Sequence, residues 1–175
     1  MDKHDLKVLM SSRSSEWETP DELYSGMNSF FNFTLDAAAT HENAKCEEHF
    51  TIEENGLEQS WEGHTVFCNP PYGRNISEWI KKGYKESQKD NNLKVFLLPV
   101  RSDTAAWFDF ISRCSNIYFI KGRLKFNNRT LPSYKEDGSH KLSSATFPST
   151  VVVFDRCREG KRRLQWTNRA FDKFW

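Results

Sequence analysis

The 175-residue chain has no apolar run long enough to cross a membrane. Its longest, residues 95–99 and 151–154, fall far short of the roughly 20 residues a spanning helix needs. Residues 1–15 carry no apolar signal core, so neither membrane insertion nor secretion is expected. The four cysteines, Cys46, Cys68, Cys114 and Cys157, include no C-x-x-C pair, which argues against a zinc site or a thioredoxin-type motif and for free thiols in a reducing cytoplasm. His4, His41, His49, His64 and His140 lack the short helical spacing of metal ligands, and no metal is expected. Internal repeats, proline-rich linkers and low-complexity blocks are missing too, in keeping with one continuous domain.

What is present suffices for a core: 37% of residues are hydrophobic and 14% aromatic, too apolar for a disordered polymer. The net charge of +1 conceals a division. Residues 1–65 hold 4 Lys/Arg against 14 Asp/Glu, whereas residues 110–175 hold 14 against 5. A basic carboxyl-terminal third predicts a polyanion partner, because phosphate neutralisation is the main sequence-independent source of nucleic-acid affinity. The alternative is a solvated surface that aids solubility.

Along the chain, Thr19-Pro20-Asp21-Glu22 predicts a helix start, with Thr19 as N-cap, Pro20 at the first helical position, Glu22 completing a capping box, and an end near Phe30. Residues 33–36 are β-prone and run into the small turn Ala37-Ala38-Ala39. Residues 65–68 form a second apolar strand, stopped at once by Asn69-Pro70-Pro71-Tyr72, since prolines donate no ladder hydrogen bond. Residues 76–89 carry a helical stripe at Ile76, Trp79, Ile80 and Tyr84. Strands are expected at 94–99, 116–120 and 150–155, and a helix at 103–112 with Ala106, Trp107, Phe110 and Ile111 inward. A basic hairpin-like piece covers 122–126, and a long polar loop covers 127–148. Strands alternating with helices predict an α/β fold with a mostly parallel sheet, helices on both faces, and ligands at the carboxyl ends of the strands.

The tetrapeptide Asn69-Pro70-Pro71-Tyr72, between a strand and a helix, carries the chemistry. Two carbonyl oxygens, from the Asn69 side chain and the Pro70 backbone, converging on the hydrogens of an amino group would favour its pyramidal, more nucleophilic form. Pro70 and Pro71 fix the backbone, and Tyr72 offers a flat aromatic face. The same residues also make a plain strand-terminating turn. Asp36, at a strand end, suits a ligand hydroxyl or ammonium, or equally caps its own turn.

This tetrapeptide resembles the signature of S-adenosylmethionine-dependent methyltransferases acting on exocyclic amino nitrogens. Trp17-Glu18-Thr19-Pro20, Phe33-Thr34-Leu35-Asp36-Ala37-Ala38-Ala39, Glu42-Asn43-Ala44-Lys45-Cys46, Asn55-Gly56-Leu57 and Gly122-Arg123-Leu124-Lys125-Phe126 extend the likeness, in that order. Together they resemble the phage-encoded DNA N6-adenine methyltransferase family. The resemblance implies a Rossmann-like class I methyltransferase fold over residues 14–155, after a loose segment at 1–13 and before a basic tail at 156–175 packed on or extending the domain. It implies S-adenosylmethionine bound by Trp17, Thr19, Pro20, Asp36, Ala37, Ala38, Asn43 and Asn55. Double-stranded DNA would be the partner, the protein a monomer or weak homodimer, and the location a bacterial host cytoplasm. Two departures stand out: alanines replace the usual glycine-rich turn, and Asn55 stands where an aspartate is expected beside the cofactor adenine.

For DNA, the candidates are Lys121, Arg123, Lys125, Arg129, Lys135 and Lys141, with Phe126 stacking on the rotated base and Arg156, Arg158, Lys161, Arg162 and Arg163 in the tail. Trp166, Phe171, Phe174 and Trp175 are expected to pack on the domain. Two other functions stay open from sequence: methylation of RNA or of protein glutamine amides, and a catalytically silent nucleic-acid binder.

Overall fold

The computed structural model describes residues 17–126, 143–156 and 163–174. Helix α1, Asp21–Phe31, begins beside the predicted start but with different chemistry. Pro20 is itself the N-cap, at φ −60° and ψ 137°, and among the described residues no side chain caps the helix. Thr19, the expected cap, instead turns its hydroxyl toward Asn69. Leu23, Met27 and Phe31 recur every fourth residue and are buried. Asn32 ends the helix in the left-handed region at φ 56°, its N–H returning to the Asn28 carbonyl.

Among the described residues, seven strands share one sheet: β1 (Leu35–Asp36), β2 (Glu48–His49), β3 (Val66–Cys68), β4 (Lys94–Pro99), β5 (Ser115–Ile120), β8 (Ser149–Phe154) and β9 (Leu164–Thr167), in the order β2-β1-β3-β4-β8-β5-β9. Between β5 and β8, β6 (Lys125–Phe126) and β7 (Ser143–Ser144) pair as a separate antiparallel arm. The architecture is α/β, but the sheet is mixed. β8 runs antiparallel to both β4 and β5, while the remaining neighbours are parallel. Parallel neighbours need a crossover, usually a helix. From β5 the chain passes through the arm and comes back down beside β5, so β8 is reversed.

Helix α2, Ile76–Ser87, and α1 cover opposite faces. In β4, Val95 and Leu97 join Leu23, Met27 and Phe31 of α1, whereas Phe96 and Leu98 join Trp79 and Ile80 of α2. That alternation is the two-residue period of a strand buried on both sides. Gly83 allows α2 to lie close on the sheet: a Cβ there would fall 2.3 Å from the Phe96 ring. Residues 103–112 depart from the predicted α-helix. They form a π-helical turn, Trp107–Ile111, followed by the short helix α3, Ser112–Cys114. Ala106, Trp107 and Ile111 are buried as expected, while Phe110 is half-buried and Phe108 is 64% exposed. The basic tail contributes β9, which extends the sheet beside β5. Phe171 is in the core, while Trp166 remains half exposed over Phe119.

One buried ion network ties α2 to the loop before β3. Glu86, 1% exposed, accepts from Lys82 Nζ at 2.6 Å, Lys89 Nζ at 2.7 Å and the Trp61 N–H at 3.1 Å. Burial pushes its carboxyl up, but the two ammonium groups and the Trp61 N–H outweigh that and leave it below the ordinary value of 4.5. The stabilisation is therefore present above about pH 4.5 and is lost as pH falls through the lower folded value. Glu86→Gln is expected to cost about 2 kcal/mol at pH 7. Thermal melts of the two proteins should converge as Glu86 of the wild type protonates; a gap that persists at low pH would contradict this account.

Because β5 is antiparallel to β8 and β8 to β4, strands β1, β3, β4 and β5 all run the same way. Their carboxyl ends, at Asp36, Cys68, Pro99 and Ile120, therefore share one edge of the sheet.

Candidate active site

At that edge the chain leaves β3 into Asn69-Pro70-Pro71-Tyr72-Gly73, a turn closed by the Gly73 N–H donating to the Pro71 carbonyl at 2.9 Å. The Asn69 amide Nδ2 donates to the Trp17 carbonyl at 2.5 Å and to Thr19 Oγ1 at 3.0 Å. These bonds fix the amide's orientation, since exchanging its ends would set oxygen against the Trp17 carbonyl. Its Oδ1 is buried and, among the described residues, has no hydrogen-bond partner. An unpaired buried carbonyl costs free energy, so this atom is poised to accept. Tyr72 is half-buried and its hydroxyl donates to the Leu97 carbonyl at 3.1 Å. Burial pushes that phenol far above its usual range.

Asp36 ends β1 and is 3% exposed. Its Oδ1 accepts from the Ala38 N–H at 3.3 Å and its Oδ2 from the Lys45 N–H at 3.0 Å. Burial raises its pKa above the ordinary carboxylate value; these two N–H groups, with His49 and the Lys45 charge, only partly oppose the shift. A cavity of about 220 Å³ opens beside it. That is more than ten times the space one water requires, so it admits an organic ligand.

Of the predicted cofactor residues, Trp17, Thr19, Asp36, Ala38, Asn43 and Asn55 line this cavity, and Asn69, Pro70 and Pro71 close one side of it. Pro20 and Ala37 do not. Pro20 is occupied as the α1 N-cap, and Ala37 is fully buried with its carbonyl beneath Gly56, where a Cβ would fall only 2.2 Å away. Asn43 spends its side-chain oxygen on the Thr40 N–H. Asn55 stands at φ 54°, a conformation that asparagine tolerates well. Sequence reasoning missed Phe50, Ile52 and Trp79 as cavity walls. Trp79 had a signal, its place on the α2 stripe, but that signal means only burial.

Arg123 and Lys125 are exposed on the arm. Phe126 corrects the prediction. It is 0% exposed and packs against Trp17, so it cannot stack on an incoming base. Arg129, Lys135 and Lys141 lie outside the described residues, as do Arg158, Lys161 and Arg162. Arg156 follows β8 and Arg163 precedes β9, which sets both at the opposite edge of the sheet, away from Asn69. Exposed Arg74 and Arg101, which follow β3 and β4 at the near edge, were missed. Among the described residues, no group of three or more His, Cys, Asp or Glu is arranged to hold a metal ion, and no helix is long and apolar enough to cross a membrane.

The sequence profile of the family described as DNA N-6-adenine-methyltransferase (Dam) matches residues 7–172. A DNA N-6-adenine-methyltransferase of Haemophilus phage HP1 (strain HP1c1) is 33% identical over 144 residues, 79% of this chain and 78% of that protein. A DNA N-6-adenine-methyltransferase of Escherichia phage T1 is 35% identical over 110 residues, 62% of this chain and 45% of that protein. With a match across nearly its full length, and with Asn69, Pro70 and Pro71 bordering a cavity at the carboxyl edge of the sheet, the chain belongs to the DNA N-6-adenine-methyltransferase (Dam) family.

Proposed function

We propose that the chain transfers a methyl group from S-adenosylmethionine to N6 of an adenine rotated out of double-stranded DNA. The observation that carries this reading is the buried Oδ1 of Asn69, without a hydrogen-bond partner among the described residues and held in place by its own amide's two hydrogen bonds. An adenine amino group is a poor nucleophile because its lone pair is delocalised into the ring. Asn69 Oδ1 and the Pro70 carbonyl, accepting its two hydrogens, favour the pyramidal form and fix the direction of the lone pair. No strong base is needed, since the ammonium product loses its proton readily.

The cavity's chemistry suits the methyl donor. The buried Asp36 carboxylate and Thr19 answer a cationic ammonium and hydroxyls, while Phe50, Ile52 and Trp79 around the Asn55 turn answer a flat base whose edge an amide can read. S-adenosylmethionine, when bound, supplies an electrophilic methyl on a sulfonium. The reading takes the α/β sheet as a Rossmann-like class I methyltransferase fold, with its ligands at the carboxyl ends of β1 and β3. All residues named come from one chain, so a monomer suffices.

DNA approaches the same edge. The arm springs from the end of β5 there, and Arg123 and Lys125 on it, with Arg74 and Arg101, form a cationic rim. Replacing Arg123 and Lys125 together by alanine should reduce the slope of log Kd against log salt by about 1.8, the release from two phosphates. A slope left unchanged would remove them from the interface. The function itself is tested by offering labelled S-adenosylmethionine with DNA, RNA and protein acceptors in competition. Label in DNA adenine is expected; label in RNA or in glutamine, or no transfer with any acceptor, contradicts the proposal.

A further inference from the structure

A second cavity, of about 390 Å³, opens at the opposite edge of the sheet, on the face that α1 covers. Its floor follows from the strand registers. Val153 of β8 pairs with Asn116 at the start of β5, and the Ile117 N–H donates to the Arg163 carbonyl at 2.9 Å, which brings Arg163 alongside on the other flank. One step further in, Gln165 of β9 pairs with Tyr118. Helix α1 stops at Phe31, so the sheet beyond it is left open. The rings of Phe30, Phe31, Tyr118 and Phe174 form one continuous wall there, with centroids 4.9 Å apart for Phe30 and Phe31, 5.7 Å for Phe30 and Phe174, and 5.7 Å for Tyr118 and Phe174.

Two features point to a guest. Phe30 is 56% and Phe174 37% exposed, although both belong to an aromatic cluster. Asn116 lines the cavity at 8% exposure, and its Oδ1 is buried with no hydrogen-bond partner among the described residues. Asn69 Oδ1 is in the same condition at the first cavity, and such an oxygen costs free energy until a donor meets it.

The chemistry of the lining selects that guest. The ring wall takes a flat face. Asp155, half-buried and two residues past Val153, lines the cavity on the same face as Asn116, and a carboxylate has room for several donors at once. Two acceptors side by side suit two adjacent N–H donors. Guanine carries such a pair, its ring imino and its amino group, on one edge, whereas adenine, cytosine and thymine each present a single donor group there. Arg163 is exposed at the mouth, where its planar fork matches a phosphate. The volume lies within the range of small-molecule sites.

We propose that this cavity binds a guanine nucleotide, its base on the ring wall, its donor edge on Asn116 and Asp155, and its phosphate on Arg163. A free nucleotide and a guanine in an unpaired strand offer the same chemistry. None of these residues borders the methyl-donor cavity, so the site stands or falls independently of methyl transfer.

Calorimetry on the full chain with deoxyguanosine monophosphate tests the site. One molecule per chain is expected, with the adenine, cytosine and thymine monophosphates bound about 10-fold more weakly. Asn116→Leu keeps the volume and removes the acceptor. It should weaken guanine binding about 10-fold while the melting temperature holds or rises, because an unpaired buried oxygen leaves with the amide. Arg163→Ala should lower the affinity for the monophosphate to that for deoxyguanosine, which has no phosphate. That exposed position carries the test if the leucine variant fails to fold. A pentanucleotide with one guanine among thymines separates the sources: binding tighter than the monophosphate and equally dependent on Asn116 makes the ligand an unpaired strand, and weaker binding makes it a free nucleotide. No heat from the monophosphate at millimolar concentration, equal binding of all four bases, or guanine affinity unchanged by both substitutions would overturn the proposal.

Discussion

Asn69→Ala lowers kcat on DNA by about 10² to 10³-fold, the usual loss when one preorganised polar contact to a reacting group is removed. On the proposed mechanism the effect falls on turnover, because the Asn69 oxygen would act on the amino group as it becomes pyramidal and not on the binding of the duplex, which is assigned to the cationic rim. Steady-state kinetics with unmethylated DNA separates the two: kcat falls while the salt-dependent affinity for DNA holds. A variant that loses affinity and keeps kcat would make Asn69 a binding residue only. Melting temperature should change less than activity, since the alanine variant loses the Asn69 bonds to Trp17 and Thr19 but also discards an unpaired buried oxygen.

If Asp36 holds S-adenosylmethionine as proposed, Asp36→Asn is expected to weaken its binding by about 10- to 100-fold, the value of a charge-assisted hydrogen bond to a cationic ligand. Calorimetry reads this directly, and equal affinity in the variant would remove Asp36 from the ligand's contacts. The sign of its pH dependence follows from the raised folded pKa. Protonated Asp36 favours the folded chain, a contribution that is complete below the ordinary value of 3.8 and lost as pH rises through the higher folded value. Above that window the chain holds a buried carboxylate that, among the described residues, is met by two backbone N–H groups and its neighbours' charge. A cationic ligand relieves that cost, so affinity in the wild type should rise with pH across the window and stay flat in the asparagine variant.

Much of the architecture is legible in local patterns. β4 matches the predicted strand residue for residue, because six consecutive buried positions between polar turns leave no alternative. The corner after β3 is legible as well, since two prolines end a strand wherever they stand. The helix over residues 21–31 is legible in the start signal Thr19-Pro20-Asp21-Glu22, but its cap is Pro20 and not Thr19. Thr19 carries the right side chain for capping, yet a contact 50 residues away in sequence claims its hydroxyl. Such long-range competition leaves no local trace.

The reversal of β8 and the recruitment of β9 depend on which strand lies beside which, and that is decided by packing. The absence of a helical stripe between β5 and β8 was the available hint of an antiparallel return. Phe50 and Ile52 are hydrophobic residues in the loop after β2, and sequence alone assigns such residues to the core by default. Arg74 and Arg101 become a rim only once β3, β4 and β5 are known to end at the same edge. The charge division pointed to the basic third as a whole, but the fold divides it. The arm stands beside Asn69, while Arg156 and Arg163 face the other way.

The central claim is that Asn69 Oδ1 accepts a hydrogen from the amino group of an extruded adenine. A crystal structure of the protein with S-adenosylhomocysteine and a duplex containing the methylated motif measures it most directly. The account predicts adenine N6 about 2.9 Å from Asn69 Oδ1, with the base outside the helix. An adenine still paired in the duplex, or an amino group held elsewhere while Asn69 Oδ1 stays without a partner, would contradict it.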